Sequence, residues 1–139
     1  MLGLTLVAIF VMGFIPVATL GVTQNDMKIL DDLFKSSGGF HWNYIEIRSC
    51  LKEFELPTSL IGIPWNFTTN AEGEYLANPC SEENNFMGIN CTFGSIASTI
   101  HAIALPCGNL TGTIPDTLGQ LTSLQNLDLD SNALTGTIP

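Results

Sequence analysis

One phrase is written twice in this chain: Leu110-Thr111-Gly112-Thr113-Ile114-Pro115 returns unchanged as Leu134-Thr135-Gly136-Thr137-Ile138-Pro139. Repetition at a fixed offset demands that the backbone make the same turn twice, which few architectures allow. The same shift of 24 residues carries Ile100, Ile103 and Leu105 onto Leu124, Leu127 and Leu129. That period falls among repeats of about 20–29 residues that pair one short strand with a return segment, and below the roughly 33–47 residues of helical-pair repeats. Leu118, Leu121 and Leu124 mark the turn-rich return between the copies. Leu127-Asp128-Leu129-Asp130 alternates with period two, which predicts a strand with two aliphatic side chains inward and two carboxylates outward.

The pattern LxxLxLxxNxLxGxIP at Leu124–Pro139, with Asn132 in its asparagine position, resembles the plant-type leucine-rich repeat. The resemblance implies an α/β solenoid: a right-handed superhelix in which a helical, disulfide-tied N-terminal cap precedes short parallel strands. In that family the strand leucines fill the core and the residues between them face out on a concave surface. By this register Asn126, Asp128, Asp130 and Ser131 are the candidate ligand-binding residues of the second repeat, with Ala102, Ala104 and Pro106 projecting from the first. A merely solvated strand face is the competing reading of Asp128 and Asp130.

Upstream, Asp26 is placed to cap an amphipathic helix in which Met27, Leu30, Leu33 and Phe34 share a face, and Ser36-Ser37-Gly38-Gly39 ends it. Gly39, Trp42, Trp65 and the run Asn78-Pro79-Cys80 to Gly88-Ile89-Asn90-Cys91 are similar to the N-terminal cap of the same family, also common in protist surface proteins. Phe86 stands where the family usually has Trp, and Gly108 occupies the asparagine position of the first repeat. The spacing from Trp42 to Trp65 exceeds the family's usual spacer, so residues 44–60 read as an insertion that carries Cys50. Both tryptophans are expected to plug the core beneath the cap; stacking on carbohydrate is the alternative.

The four cysteines, Cys50, Cys80, Cys91 and Cys107, contain no CxxC pair and suit two disulfides in an oxidising compartment. The resemblance implies a Cys80–Cys91 bond, which would close a loop of about 12 residues and contribute on the order of 3 kcal/mol. Cys50 and Cys107 are then left to each other. A zinc site from Cys80, Cys91, His101 and Cys107 lacks the closely spaced ligand pairs of structural zinc, so neither a metal nor a cofactor is expected.

Residues 1–21 carry no charge and are mostly aliphatic, as in a secretory signal peptide cleaved after Gly21 or Ala18. About 20 apolar residues also suffice for an uncleaved membrane anchor. The sequons at Asn66, Asn90 and Asn109 would then be open to N-glycosylation, Asn66 best and Asn90 least, because Cys91 lies inside the latter. The expected organisation is a leader at 1–21, a cap at 22–99 with the insertion near 44–60, and about one and a half repeats at 100–139. Such a stack needs roughly three repeats to bury a continuous core, so the chain reads as the N-terminal part of a longer protein or as one that completes its stack on another chain.

The formal net charge is −9, and Lys28, Lys35, Arg48 and Lys52 are the only Lys and Arg residues. Nothing here clusters cations as a phosphate backbone requires, which sets nucleic acid aside as a partner. Serines occupy no GxSxG turn, and there is no HExxH or phosphate loop. The neighbouring carboxylates Glu82 and Glu83, or Asp128 and Asp130, do not by themselves make a hydrolytic cleft. No catalytic residue is assigned. The expected function is recognition of an extracellular protein, peptide or glycan by a secreted or cell-surface module, as in receptor-like ectodomains. Membrane attachment would come through an uncleaved leader or a span beyond Pro139. A secreted inhibitor of cell-wall hydrolases, or a structural surface or matrix protein, is the alternative.

Overall fold

A computed structural model of the protein describes residues 22–81, 85–94 and 97–139. The expected leader at 1–21 and the Glu82–Glu83 pair lie outside the described residues.

Helix α1 (Gln24–Ser36) starts one turn earlier than the sequence suggests. Thr23 is the N-cap and Asp26 the N3 residue of a reciprocal capping box: the Thr23 hydroxyl accepts from the Asp26 N–H at 3.1 Å, and Asp26 Oδ2 accepts from the Thr23 N–H. Both residue types satisfy free helix N–H groups, so the position of the cap was ambiguous between them. Met27, Ile29, Leu30, Leu33 and Phe34 are buried on the inner face. The helix ends at Ser37, and Gly38 takes a left-handed φ of 73° that turns the chain into the short 3-10 segment Gly39–His41.

Helix α2 (Tyr44–Glu53) is capped by Asn43, whose Oδ1 accepts from the Glu46 N–H, and it buries Ile47, Cys50 and Leu51 while Ile45 faces solvent. Two disulfides tie the fold, Cys50 to Cys107 across 57 residues and Cys80 to Cys91 across 11. Strands β1 (Ile89–Phe93), β2 (Ser98–Ala104) and β4 (Asn126–Asp128) form a sheet in the order β1-β2-β4, with β1 antiparallel and β4 parallel to β2. Strands β3 (Thr111–Thr113) and β5 (Ala133–Thr135) form a separate parallel pair.

The expected right-handed solenoid is not what these residues build. The described chain is a small unit of two α-helices, a mixed three-stranded sheet and a two-stranded sheet, and no repeat superhelix is evident. A superhelix needs like turns stacked on one continuous parallel sheet. Here β2 has an antiparallel neighbour on one side and β4 alone on the other. The 24-residue offset does hold in the β2–β4 pairing, where Ala102, Ile103 and Ala104 face Asn126, Leu127 and Asp128, but within the duplicated phrase the β3–β5 ladder runs two residues short of it, Thr111 facing Ala133 and Thr113 facing Thr135. The core is one cluster that joins α1, α2 and an aromatic group to Ile100, Ile103, Leu105, Leu110, Leu118 and Leu121 of the first pass, while Leu124, Leu129 and Leu134 of the second are only partly buried against it.

Trp42 and Trp65 stand edge to face at 4.9 Å between ring centroids, and Phe34, Phe67 and Phe86 extend the cluster. Trp42 Nε1 donates to the Ser37 carbonyl at 3.0 Å and Trp65 Nε1 to the Met87 carbonyl at 2.8 Å, so neither indole N–H is buried without a partner. With both rings buried, the alternative of carbohydrate stacking on a tryptophan has no surface to use.

Candidate functional site: the outward face of the sheet

Residues opposite each other in a ladder share a face. Asn90 on β1, Ala102 on β2 and Asn126 on β4 therefore form one row, and Ala104 and Asp128 begin the next. Backbone bonds carry the β2–β4 pairing further at both ends. Gln125 N–H donates to the His101 carbonyl at 2.9 Å, and Leu105 and Cys107 N–H groups donate to the Asp128 and Asp130 carbonyls at 2.8 and 3.1 Å.

Of the four candidate binding residues, Asn126 is exposed on β4, Asp128 is half-buried beside it, and Asp130 and Ser131 are exposed in the turn that follows. The two carboxylates are engaged locally. Asp128 Oδ1 accepts from the Asp130 N–H at 3.0 Å, and Asp130 Oδ2 accepts from the Ser131 hydroxyl at 2.9 Å. Ser131 has a left-handed φ of 53°, so Asp128 also acts as an Asx-type brace for a tight turn. Of the first-copy residues expected on this face only Ala102 is accessible; Ala104 and Pro106 are buried. Ala104 is flanked on both sides by backbone, its N–H donating to the Gly88 carbonyl at 2.7 Å while Asp128 lies opposite it on β4. The accessible face is thus narrower than the sequence pattern suggests, and centred on β4.

A separate anionic centre lies on α1, which pattern reading passed over. Asp31 is buried, yet its Oδ2 accepts from Lys35 Nζ at 2.7 Å and from the Tyr75 hydroxyl at 2.9 Å. Tyr75 is pushed up to about 12 by burial, then by its bond to Asp31 and by the charges of Asp31 and Asp32. Gln24 grips the backbone of the same tyrosine, its Oε1 accepting from the Tyr75 N–H at 2.6 Å and its Nε2 donating to the carbonyl at 3.2 Å. These bonds lock the 66–78 loop onto α1. The only sequence signal was the i,i+4 spacing of Asp31 and Lys35.

The two histidines do not meet. His41 is exposed in the 3-10 segment, and His101 lies within β2. Cys80, Cys91 and Cys107 are committed to disulfides, so the zinc set considered from sequence has no thiolates to offer. Among the described residues no group of three or more His, Cys, Asp or Glu side chains could hold a metal ion. Among the same residues no helix is long and apolar enough to cross a membrane.

The three sequons differ in setting. Asn66 is exposed and its Oδ1 accepts from the Thr68 N–H at 3.0 Å; Asn90 is half-buried on β1; Asn109 has a left-handed φ of 58° and donates from Nδ2 to the His41 carbonyl at 3.4 Å.

The sequence matches no established protein-family profile. Parts of it are similar to two curated plant proteins. One stretch of 54 residues is 44% identical to receptor protein kinase WSS1 of Oryza sativa subsp. japonica, and one of 75 residues is 37% identical to the inactive LRR receptor-like serine/threonine-protein kinase BIR2 of Arabidopsis thaliana. The aligned stretches cover 39% and 54% of this chain but only 6% and 11% of those proteins. The likeness is partial and reaches plant receptor-like kinases, of whose length this chain matches only a small share.

Proposed function

We propose that the protein is a non-enzymatic recognition module, secreted or held at the cell surface, that binds an extracellular protein, peptide or glycan through the outward face of β4 and the turn after it. Asn126, Asp128, Asp130 and Ser131 supply the contacts. Residues 1–21 serve as the leader, 22–99 brace the sheet, and 100–139 present the face. One observation carries the reading: a row of side chains, half-buried Asn90 and exposed Asn126 flanking Ala102, runs across three strands, with Ile89 and Ile103 buried on the opposite face of β1 and β2. The part-length likeness to receptor-like kinases supports an extracellular setting for it. Because no lysine or arginine follows Lys52, the face favours cationic or neutral hydrogen-bonding partners.

The test is an array of extracellular peptides and glycans probed with the chain, followed by titration of each binder. Asp128→Lys with Asp130→Lys should weaken binding about tenfold or more, and Asp116→Lys, on the exposed return segment, should leave it unchanged. Binders equally indifferent to both changes would remove this face from consideration.

A further inference from the structure

Phe40 is 83% exposed, although its ring packs edge to face on the buried Phe34 at 5.0 Å. Phe34 also holds Phe67 at 5.3 Å, so a buried ring is flanked by two others at the rim of a cavity of about 350 Å³. The remaining wall is the edge of the largely buried Trp65 and the polar Asp31, Lys35, Asn66 and Thr68. An aromatic platform beside carboxylate, ammonium and hydroxyl groups suits a sugar ring, whose C–H face is apolar and whose edge is hydroxylated.

Asn66 and Thr68 are the two defining residues of a sequon, and both line this cavity. Asn66 commits its Oδ1 to the Thr68 N–H, and its Nδ2 makes no hydrogen bond among the described residues. A saccharide on Nδ2 would therefore displace nothing. At Asn109 it would break the bond to the His41 carbonyl, beside a fully buried Leu110, and at Asn90 it would leave a half-buried strand position next to the Cys80–Cys91 disulfide.

We propose that Asn66 carries an N-linked glycan whose first sugar residues lie over Phe40 in this cavity. The cavity's occupant is then attached at its own wall, which removes the entropic cost of bringing a free sugar to a shallow site. Transfer joins the Asn66 Nδ2 to the anomeric carbon of a lipid-linked oligosaccharide donor; the glycosyl–phosphate bond breaks, the lipid diphosphate leaves, and the nitrogen gives up one proton. The inference rests on an extracellular setting and is independent of ligand binding by β4.

The whole chain, secreted from a eukaryotic host, is digested and its Asn66, Asn90 and Asn109 peptides are weighed before and after enzymatic deglycosylation. Asn66 should be the principal occupied site. Thermal midpoints of the wild type, Asn66→Gln, Phe40→Ala and the double variant then test the packing. Loss of the glycan should lower the midpoint by about 3 °C with Phe40 present and leave it nearly unchanged in the Phe40→Ala background. A bare Asn66, whether the chain fails to be exported or another sequon is used, overturns the proposal, and so does an equal midpoint change in both backgrounds. Failure in an exported chain leaves recognition by β4 standing, since that is read by ligand titration, whereas a chain that is not exported counts against both.

Discussion

The side chain of Asn132 joins the two copies of the repeated phrase to each other: its Oδ1 accepts from the backbone N–H of Leu110 at 3.0 Å. Its Nδ2 donates to the carbonyls of Leu105, Leu129 and Asp130 at 2.8 to 3.1 Å. One half-buried amide thus satisfies backbone groups on both passes of the chain just past the end of β2 and β4. Asn132→Ala should lower the unfolding free energy by about 2 kcal/mol, because several carbonyls and an N–H lose their partner together. Asn132→Asp should cost at least as much, since it turns a donor into a second acceptor facing three carbonyls. Urea unfolding of the three proteins measures both; an Asp variant as stable as the wild type would show that the donor contacts matter little.

The equivalent position in the first copy is Gly108, and helix α2 accounts for it. A Cβ there would come within 2.6 Å of Leu110 Cδ1 and 2.8 Å of Ile47 Cδ1, and the Gly108 carbonyl accepts from the Asn43 N–H at 2.8 Å. Gly108→Ala is expected to destabilise by about 1–3 kcal/mol through overpacking. Ile47→Ala, which removes both the Cγ1 and the Cδ1 that a Cβ at position 108 would meet at 2.8 Å, should alone cost about 2–5 kcal/mol. Combined, they should cost less than the sum of the two, because the truncation makes room for the new methyl. Strict additivity in denaturant unfolding would mean that Ile47 is not what excludes a side chain at this position.

Both tyrosines report on the integrity of the aromatic region. Burial pushes Tyr44 up to about 12, partly offset by the Trp65 N–H that donates to its phenol oxygen at 3.1 Å; Tyr75 reaches about 12 for the reasons given above. A phenol in the unfolded chain ionises near about 10. The folded state therefore favours the neutral form, and its contribution to stability is fully present below about pH 10 and lost as the pH rises toward about 12. Tyrosinate absorbance should stay low to above pH 10 in the native protein, while the chain in guanidinium titrates near about 10. Asp31→Asn should bring the Tyr75 midpoint down and leave Tyr44 in place. A native titration that overlays the denatured one would contradict the buried bond between Tyr75 and Asp31.

Periodicity exposed the parts of this molecule that are local. The buried face of α1 was legible in Met27, Leu30, Leu33 and Phe34, and the 24-residue offset is also the offset at which β2 and β4 pair. The superhelix was not a safe extrapolation: a family pattern spanning about one and a half units says how each unit turns, whereas a superhelix is a property of many units stacked. The candidate face was overdrawn for a related reason. Outward register placed Ala104 and Pro106 on it, but accessibility depends on neighbouring strands that no single segment encodes. Nor could spacing reveal that Asp128 braces the Asp130 N–H, or that Phe40 stays exposed while Phe34 beneath it is buried.

Ile103 and Leu127 hold the same place in the two copies and face each other across the β2–β4 ladder, yet their surroundings differ. Ile103 is wholly buried between β1 and β4; Leu127 is 40% exposed, with β2 as its neighbour in the sheet. Truncating a buried aliphatic removes transfer energy and leaves a cavity, whereas truncating a half-exposed one removes only part of the first and creates little of the second. Ile103→Ala should therefore lower the unfolding free energy by about 3–4 kcal/mol and Leu127→Ala by about 1 kcal/mol or less. Urea unfolding of the two variants, with equal m-values as a check that the denatured states are alike, gives the comparison directly. Equal losses at the two sites would mean that the core extends past β4 and that Leu127 is covered in solution, by another copy of the chain or by further residues of the protein, which a concentration series of the midpoint would then distinguish.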